Sequence, residues 1–517
     1  MTDPSGTISP AGFELQEGAA IELRAHPSEP DALALVLESY ASAHELLPLR
    51  IVKDTLLVAC AAVPDFRVIS ELQTLTRHQI VPLIASRDEI LESIRQRYRL
   101  LPGVDGHVRA FNEATLVLPT DVRDALGEVS ENAPVVRVVS LLIKQGLRDR
   151  ASDIHIEPQQ NSLRIRYRID GILTDALILP KAMGPSLASR IKVMANMDIV
   201  DRHRSQDGQI RLEGEDRPVD IRVSTAETIW GEKVVLRLLD QGRTILSLDQ
   251  LGLTQQGYVR MSQLLRSPYG MIVVSGPTGS GKTTSLYAAI NELDPISQNI
   301  TTIEDPVEYT FANINQIQIR RVANLTFANG LKAILRQDPD VILIGEIRDL
   351  ETAEIAIQSA LTGHLVLSSL HATDSAGVVQ RFMEMGIEGF LISSALVGVV
   401  AQRLVRRICD QCKEPYEPSE EEMDLWGQYG SGTKEQFFHG RGCAHCAGTG
   451  YHGRIGIFEV LQLTDGIKRS VSNKLSAQDI RKQAVKEGMV SLRVDAVQKV
   501  AADLTTLSEV IRCVWVN

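Results

Sequence analysis

The stretch GPTGSGKTT, Gly276 to Thr284, constrains this chain more than any other part of it. It meets the pattern G-x-x-x-x-G-K-[ST] at every fixed position. Glycines at those positions let backbone N–H groups turn inward around phosphate oxygens. Lys282 can reach the β- and γ-phosphates, and the Thr283 hydroxyl can coordinate Mg²⁺. The apolar run MIVV (Met271–Val274) precedes the loop and TTSLYAAINEL follows it. Strand, loop and helix in that order place the anion at a helix N-terminus, where the helix dipole favours it. A chance match in a Gly/Ser-rich turn is the competing reading, and both flanks argue against it. Gly276, Thr278, Gly279, Ser280, Gly281, Lys282, Thr283 and Thr284 are therefore the candidate ATP-binding residues.

Apolar runs of the same kind recur as NITTIE, VILIGE and HLVLSSLH, with helix-like segments between them. Continuous apolar strands separated by helices predict a parallel sheet covered on both faces. Acids stand at the ends of two of these strands. Glu346 in VILIGEIRD can orient or deprotonate an attacking water, or hold the metal through a water. Glu304 and Asp305 in TTIEDPVE can hold the water shell of Mg²⁺. A solvated loop acid is the plain alternative for each. LTGHLVLSSLHATD carries His364 and His371, one at each end of its strand, and either can serve a phosphate or be a satisfied structural histidine. The run Phe390–Ala401, FLISSALVGVVA, reads as a buried helix ending at Gln402 and Arg403.

Upstream, SLRIRYRIDG alternates so that Leu163, Ile165, Tyr167 and Ile169 share one face and Arg164, Arg166 and Arg168 the other. VVRVVSLLIKQGLRDR before it reads as a helix. SDIHIEP, PVDIRVS and EKVVLRLLD read as further strands of an α+β unit. Nearer the start, Leu49–Ala61 reads as a strand pair. Ile90, Leu91, Ile94 and Tyr98 have the spacing of one helix face. Expected boundaries are a flexible leader at 1–30, a small α/β domain at 31–101, a linker at 102–133, an α+β middle domain at 134–245 and a nucleotide-binding domain at 246–517. Several domains suit 517 residues, more than one core usually holds.

The chain carries six cysteines, four of them in two C-x-x-C pairs, Cys409/Cys412 and Cys443/Cys446. Four thiolates make a closed tetrahedral Zn²⁺ site, which has no open position and is structural. The insert spans 409–453. Free thiols and a redox pair are the rival readings; a redox motif needs only one pair.

A net charge of −11 and an aromatic content of 4% argue against a large nucleic-acid surface or an aromatic-lined strand channel. The first residues are polar and acidic, unlike a secretory signal. No apolar run reaches the ~18–20 residues that span a bilayer. These observations lead us to expect a cytoplasmic protein with at most a peripheral membrane link.

Taken together, GPTGSGKTT, TTIEDPVEY, LRQDPDVILIGEIRD and LTGHLVLSSLHATD resemble the secretion ATPases of type II secretion and type IV pilus assembly. ASDIHIEP, RIRYRIDG and GEKVVLRLLD upstream look like the middle domain of that family, PAS-like in its members. The paired C-x-x-C and GTGYHGRIGIFEV downstream match as well. The resemblance covers about 134–517, with a looser match from LLPLRI to YRLL. It implies a RecA-like homo-hexameric motor on the cytoplasmic face of the inner membrane. Such a motor works on a membrane platform protein and, through it, on pilin-like subunits, and a cytoplasmic-face docking protein holds it there. It further implies that Lys282, Thr283, Glu304, Glu346, His364 and His371 serve the nucleotide and that Arg222 reaches its phosphates. The family pattern PQDGR is SQDGQ here, so Gln209 stands where a charge is expected, with Arg204 and Arg211 nearby as substitutes. A retraction or DNA-uptake motor of the same superfamily, a nucleic-acid translocase and a nucleotide-gated scaffold are the alternative readings.

Overall fold

In the computed structural model, the described residues are 38–97, 133–213, 218–239, 246–320, 323–430, 434–443 and 445–514, with 432 and some positions within 21–36 and 104–111. Most of the expected leader, most of the expected linker and Tyr98 lie outside them, while Leu23 of the leader is buried in the core of the small domain. The chain divides into two compact units, one drawn from Met1–Asp240 and Gly442–Thr449, the other from Gln241–Arg441 and Gly450–Asn517.

The first unit holds two sheets. Strands β1 (Leu46–Val52), β2 (Thr55–Cys60) and β3 (Gln79–Ile84) pair in that order, β1 antiparallel and β3 parallel to β2. The strand pair expected near Leu49 is thus β1 and β2. The helix Arg87–Arg97 buries Ile90 and Ile94, as its spacing predicts, while Leu91 is half-buried. Strands β4 (Asp153–Pro158), β5 (Ser162–Ile169), β6 (Ile172–Pro180), β7 (Gln206–Glu213), β8 (Pro218–Thr228) and β9 (Gly231–Leu239) form the second sheet, order β6-β5-β4-β9-β8-β7. On β5 the odd-numbered face is the buried one, with Leu163, Ile165, Tyr167 and Ile169 all in the core. Asp170 and Gly171 turn β5 into β6 with φ of 47° and 88°, the positive values that a tight hairpin requires. The helices Pro134–Arg148 and Gly184–Met194 contribute Val138, Leu142, Leu187 and Ile191 to the same core.

The opposite face of that sheet is a charge ladder. Asp153 pairs in register with Arg168 on one side and Arg237 on the other, and forms ion pairs with both at 3.5 and 3.1 Å. Glu157 forms ion pairs with Arg166 and Lys233, at 2.8 and 2.9 Å. Arg222 on β8 is in register with Arg237 and with Gln209. Arg211 instead lies opposite Asp220, and Arg204 is exposed beside Asp201.

The second unit is built on strands β10 (Gly270–Ser275), β11 (Ile300–Glu304), β12 (Asn315–Gln318), β13 (Val341–Ile344), β14 (Leu365–Leu370), β15 (Leu396–Ile408) and β18 (Tyr451–Gln462). Their order is β12-β11-β13-β14-β10-β15-β18, parallel throughout except for β18. Successive residues face opposite sides, and both sides are dry. Met271, Val273, Ile342 and Val366 join one core, and Ile272, Val274, Val341 and Leu365 another. Each such side chain contributes roughly 1.5–3 kcal/mol by leaving water. The helix Lys282–Asn291 packs on the second side through Leu286, Ala289 and Ile290.

The run Phe390–Ala401 is not one helix. A short helix, Gly389–Ala395, gives way to β15 at Leu396. Val397, Val399 and Val400 are β-branched and the segment has β10 and β18 to pair with, which overrides the apolar run's helical look.

Candidate functional site

A parallel sheet aims all its strand C-termini at one edge, and ligands of such sheets bind there. Here that edge collects the ends of β10, β14, β13 and β11. Ser275 and Gly276 end β10, His371 follows β14, Glu346 follows β13 by two residues, and Glu304 is the last residue of β11. Gln402 and Arg403 join them from β15, in register just past Ser275.

The loop leaving β10 is shaped by its glycines. Gly276, Gly279 and Gly281 have φ of 154°, 78° and 86°. A Cβ at Gly281 would also lie 2.8 Å from Gln402 Nε2. Gly281 caps the following helix without a side-chain bond, so the N–H groups of its first turn face the loop. Ser280 is buried with its Oγ unpartnered, while Thr278 and Thr284 are exposed and Thr283 half-buried. Lys282 Nζ donates to the Gly276 and Pro277 carbonyls at 2.9 and 3.0 Å, folding over the loop. Burial lowers the Lys282 pKa, Glu346 opposes that shift and Arg403 adds to it. A polyphosphate fits this cradle: an uncapped helix start, a lysine at its mouth and glycines where side chains would clash.

Glu346 is mostly buried, its side chain 17% exposed. Arg348 Nη2 donates to Glu346 Oε1 at 2.5 Å, and His371 Nε2 lies 3.7 Å from Oε2. His371 also hydrogen-bonds the backbone of Gly276. Burial and the Lys282 charge hold its pKa below the usual imidazole value. Neutral imidazole between a carboxylate and the phosphate loop can take or relay a hydrogen bond.

Glu304 is more deeply buried, 3% exposed. Its Oε1 accepts from Thr302 Oγ1 at 2.6 Å and Gln316 Nε2 at 3.3 Å, and its Oε2 from the Tyr287 hydroxyl. Gly345, the residue before Glu346, donates its N–H to Ile303 O at 2.8 Å, so the ends of β11 and β13 run side by side. Asp305 is exposed, close enough to Arg348 to act on its charge.

The two histidines of the β14 segment part company. His364 precedes the strand, at the opposite edge of the sheet from the loop. There its Nδ1 meets Ser359 O at 2.9 Å and its carbonyl accepts from Gly270 N. Six residues of parallel strand separate the two edges by about 20 Å. Arg222 belongs to the first unit, half-buried on β8.

Four residues at this edge are not legible in the sequence as part of it. Arg348 lies in a loop whose geometry the sequence does not show. Tyr287 sits in an apolar helix and reads as core. Gln402 and Arg403 read as the end of a helix. Gln402 accepts from Ser285 Oγ at 2.7 Å, and Arg403 donates to Thr373 O at 2.8 Å.

The four cysteines of the pairs converge, with every Sγ within 4.8 Å of every other and three of the four residues buried. Cys409 and Cys412 follow β15, and Cys443 and Cys446 lie between β17 (Phe437–Gly440) and β18. β17 itself pairs with β16 (Lys413–Tyr416). The Cys443 and Cys446 sulfurs are 3.7 Å apart. Zn–S bonds of about 2.3 Å in a tetrahedron put sulfurs about 3.8 Å apart, so the set fits zinc.

Among the described residues no helix is long and apolar enough to cross a membrane. Residues 128–512 match the family model "Type II/IV secretion system protein", and residues 13–103 match the MshEN domain. The chain is 40% identical over 499 residues to the type IV pilus assembly ATPase PilB of Myxococcus xanthus, covering 95% of this chain and 88% of that one. It is 39% identical over 495 residues to the type II secretion system protein E of Dickeya dadantii, covering 93% and 97%. Among solved structures, the ATPase DotB of Legionella pneumophila superposes with a TM-score of 0.54 at 19% identity, over 72% of this chain and 94% of that one. That last likeness bears on the fold, an α/β one with a P-loop ATPase neighbour. The sequence matches go further: this chain belongs to the type II/IV secretion system protein family.

Proposed function

We propose that the chain is a hexameric, ATP-hydrolysing motor that drives type IV pilus assembly or type II protein secretion. It would work from the cytoplasmic face of the inner membrane, held there peripherally. The observation that carries this reading is the meeting of Lys282, Glu346 and His371 beside Glu304 at one sheet edge. The relatives' names, pilus assembly ATPase and secretion system protein E, supply the direction. They favour assembly or export over the retraction and DNA-uptake alternatives. The net charge of −11 speaks against direct nucleic-acid handling.

In this reading the loop N–H groups and Lys282 hold the phosphates and Thr283 supplies a hydroxyl to Mg²⁺. ATP brings the phosphoanhydride bond whose cleavage drives the motor. Glu346 orients the attacking water, and Arg348 and His371 fix its carboxylate. Glu304 and Asp305 face the water shell of the metal. Arg222 is assigned to the phosphates from the middle domain (134–245), with Gln209 beside it as a neutral neighbour. The charge of this row then rests on Arg222, because Arg237 is paired with Asp153 and Arg211 faces Asp220. His364 has no contact to offer within this site, and we assign it to anchoring the start of β14. Zn²⁺ in the cysteine set stabilises the 409–453 insert. A membrane platform protein, a docking protein at the N-terminal domain and, indirectly, pilin-like subunits are the expected partners.

The test is the Mg²⁺-dependent ATPase rate of the full chain beside Glu346→Gln. Replacing the carboxylate is expected to lower kcat by about a hundredfold or more while ATP still binds. Hydrolysis that survives in the variant would remove Glu346 from the reaction.

A further inference from the structure

The buried Tyr287–Glu304 contact links the phosphate-loop helix to the end of β11. Tyr287 lies five residues after Lys282, on the helix that the loop leads into. Its side chain is among the largest fully buried ones, edge-on to Tyr309 and Phe311 at ring-centroid distances of 5.9 and 5.2 Å. Those rings fix where its hydroxyl points. The hydroxyl donates to Glu304 Oε2 and accepts from the Glu308 backbone N–H at 3.2 Å. Both of its hydrogen-bonding directions are thus used on the segment that carries Glu304 and Asp305.

The rest of the Glu304 carboxylate is held just as closely. Thr302 Oγ1 and Gln316 Nε2, from β11 and β12, take Oε1. The Oε2 contact therefore comes from the nucleotide-binding helix and not from the strands. The same helix is tied on its other side, where Ser285 Oγ donates to Gln402 Oε1 at 2.7 Å. Burial and the adjacent Glu304 hold the Tyr287 phenol above its ordinary pKa, so it stays protonated and can only donate to the carboxylate.

We propose that Tyr287 is a positioning residue that sets the orientation of Glu304 from the phosphate-loop helix, so that turnover, but not nucleotide affinity, depends on its hydroxyl. The chemistry is simple. A buried carboxylate oxygen that loses its donor must find another or rotate. A carboxylate misplaced by about an ångström costs up to a hundredfold in rate. The aromatic ring fills the core whether or not it carries oxygen, so its packing is a separable property. The proposal rests on the reading of Glu304 as part of the ATP site.

The experiment compares full-length wild type, Tyr287→Phe, Glu304→Gln and the double variant. It reads kcat, KM, equilibrium affinity for a fluorescent ATP analogue and Tm. Tyr287→Phe is expected to lower kcat by about tenfold or more, with affinity within about twofold and a small fall in Tm from the two lost hydrogen bonds. The double variant is expected to be no slower than Glu304→Gln, because both changes disable one unit. Thr302→Val, which strips a donor from Oε1 without changing the helix, should lower kcat in the same way. An unaltered kcat in Tyr287→Phe overturns the proposal. So does a parallel fall in kcat, affinity and Tm, which would mark Tyr287 as core only. A Glu304→Gln enzyme as fast as wild type sinks the assignment of Glu304 itself, and the Tyr287 proposal with it. A fast Tyr287→Phe beside a slow Glu304→Gln sinks only the Tyr287 proposal.

Discussion

Glu509 shows how much one side chain can hold together in this protein. Its carboxylate is fully buried and accepts from the Arg406 backbone N–H, from Arg406 Nε and Nη2, and from Arg512 Nε and Nη2. Arg406 in turn lies 3.9 Å from the centre of the Tyr451 ring. Burial alone would raise the Glu509 pKa, but the two guanidinium groups outweigh it and pull the value down to about 2. A depressed acid stabilises the fold above its unfolded pKa, and that contribution is lost as pH falls toward the folded value. The window here runs from the ordinary 4.5 down to about 2, and the contribution at neutral pH is on the order of 3 kcal/mol. Glu509→Gln is expected to unfold at lower denaturant concentration at pH 7. Its deficit against wild type should shrink between pH 4.5 and 2. A deficit that does not change with pH would show that shape, not charge, sets the role of Glu509. At the same scale, Lys282 and His371 stand in patterns legible in residue order. Arg348 and Tyr287 do not, since neither loop geometry nor the direction of a buried hydroxyl is written there.

Among the elements, the cysteine insert is one whose stability is expected to depend on a bound metal more than on its own small core. β16 and β17 pair over only four residues each, and such a small ribbon is marginal in water on its own. The Trp426 and Phe437 rings, 5.2 Å apart, give it a partial core. Four thiolates on one ion would close it. Cys443→Ser is expected to remove the bound zinc and lower the stability of the insert, while binding of ATP to the phosphate loop persists. Metal analysis by mass spectrometry checks it, and a full zinc complement in the variant would contradict the ligand set. C-x-x-C spacing makes this element readable from sequence, because the turn that aims two thiolates is local. β15 is the contrary case. Its strand state comes from β10 and β18, distant in sequence, and the run Phe390–Ala401 looks helical until those partners are present.

At the scale of the whole molecule, the edge of the seven-stranded sheet supplies Lys282, Glu346, His371 and Glu304, whereas Arg222 and Arg237 stand on the ladder face of another sheet. If those arginines complete the site and the motor is a ring, turnover requires assembly. The specific ATPase rate is expected to rise with protein concentration and level off once the hexamer forms, in step with its mass by light scattering. A specific rate independent of concentration, in a protein that scatters as a monomer, would argue for a single chain working alone.

Much of this protein follows from residue order alone. The phosphate loop, the apolar strands of a parallel sheet, the outward arginines of β5 and the cysteine pairs are all local patterns. Local patterns reflect backbone sterics, side-chain alternation and metal-ligand spacing, which need no distant partner. Tertiary structure alone decided which end of a strand faces the nucleotide loop. It left His364 on the far edge and brought His371 to Glu346. It also decided that Tyr287 turns its hydroxyl onto Glu304, that Gln209 lies beside Arg222, and that Leu396–Ile408 is a strand. Each of these depends on strand order and register, set by burial across the whole sheet and not by the neighbours of any one residue.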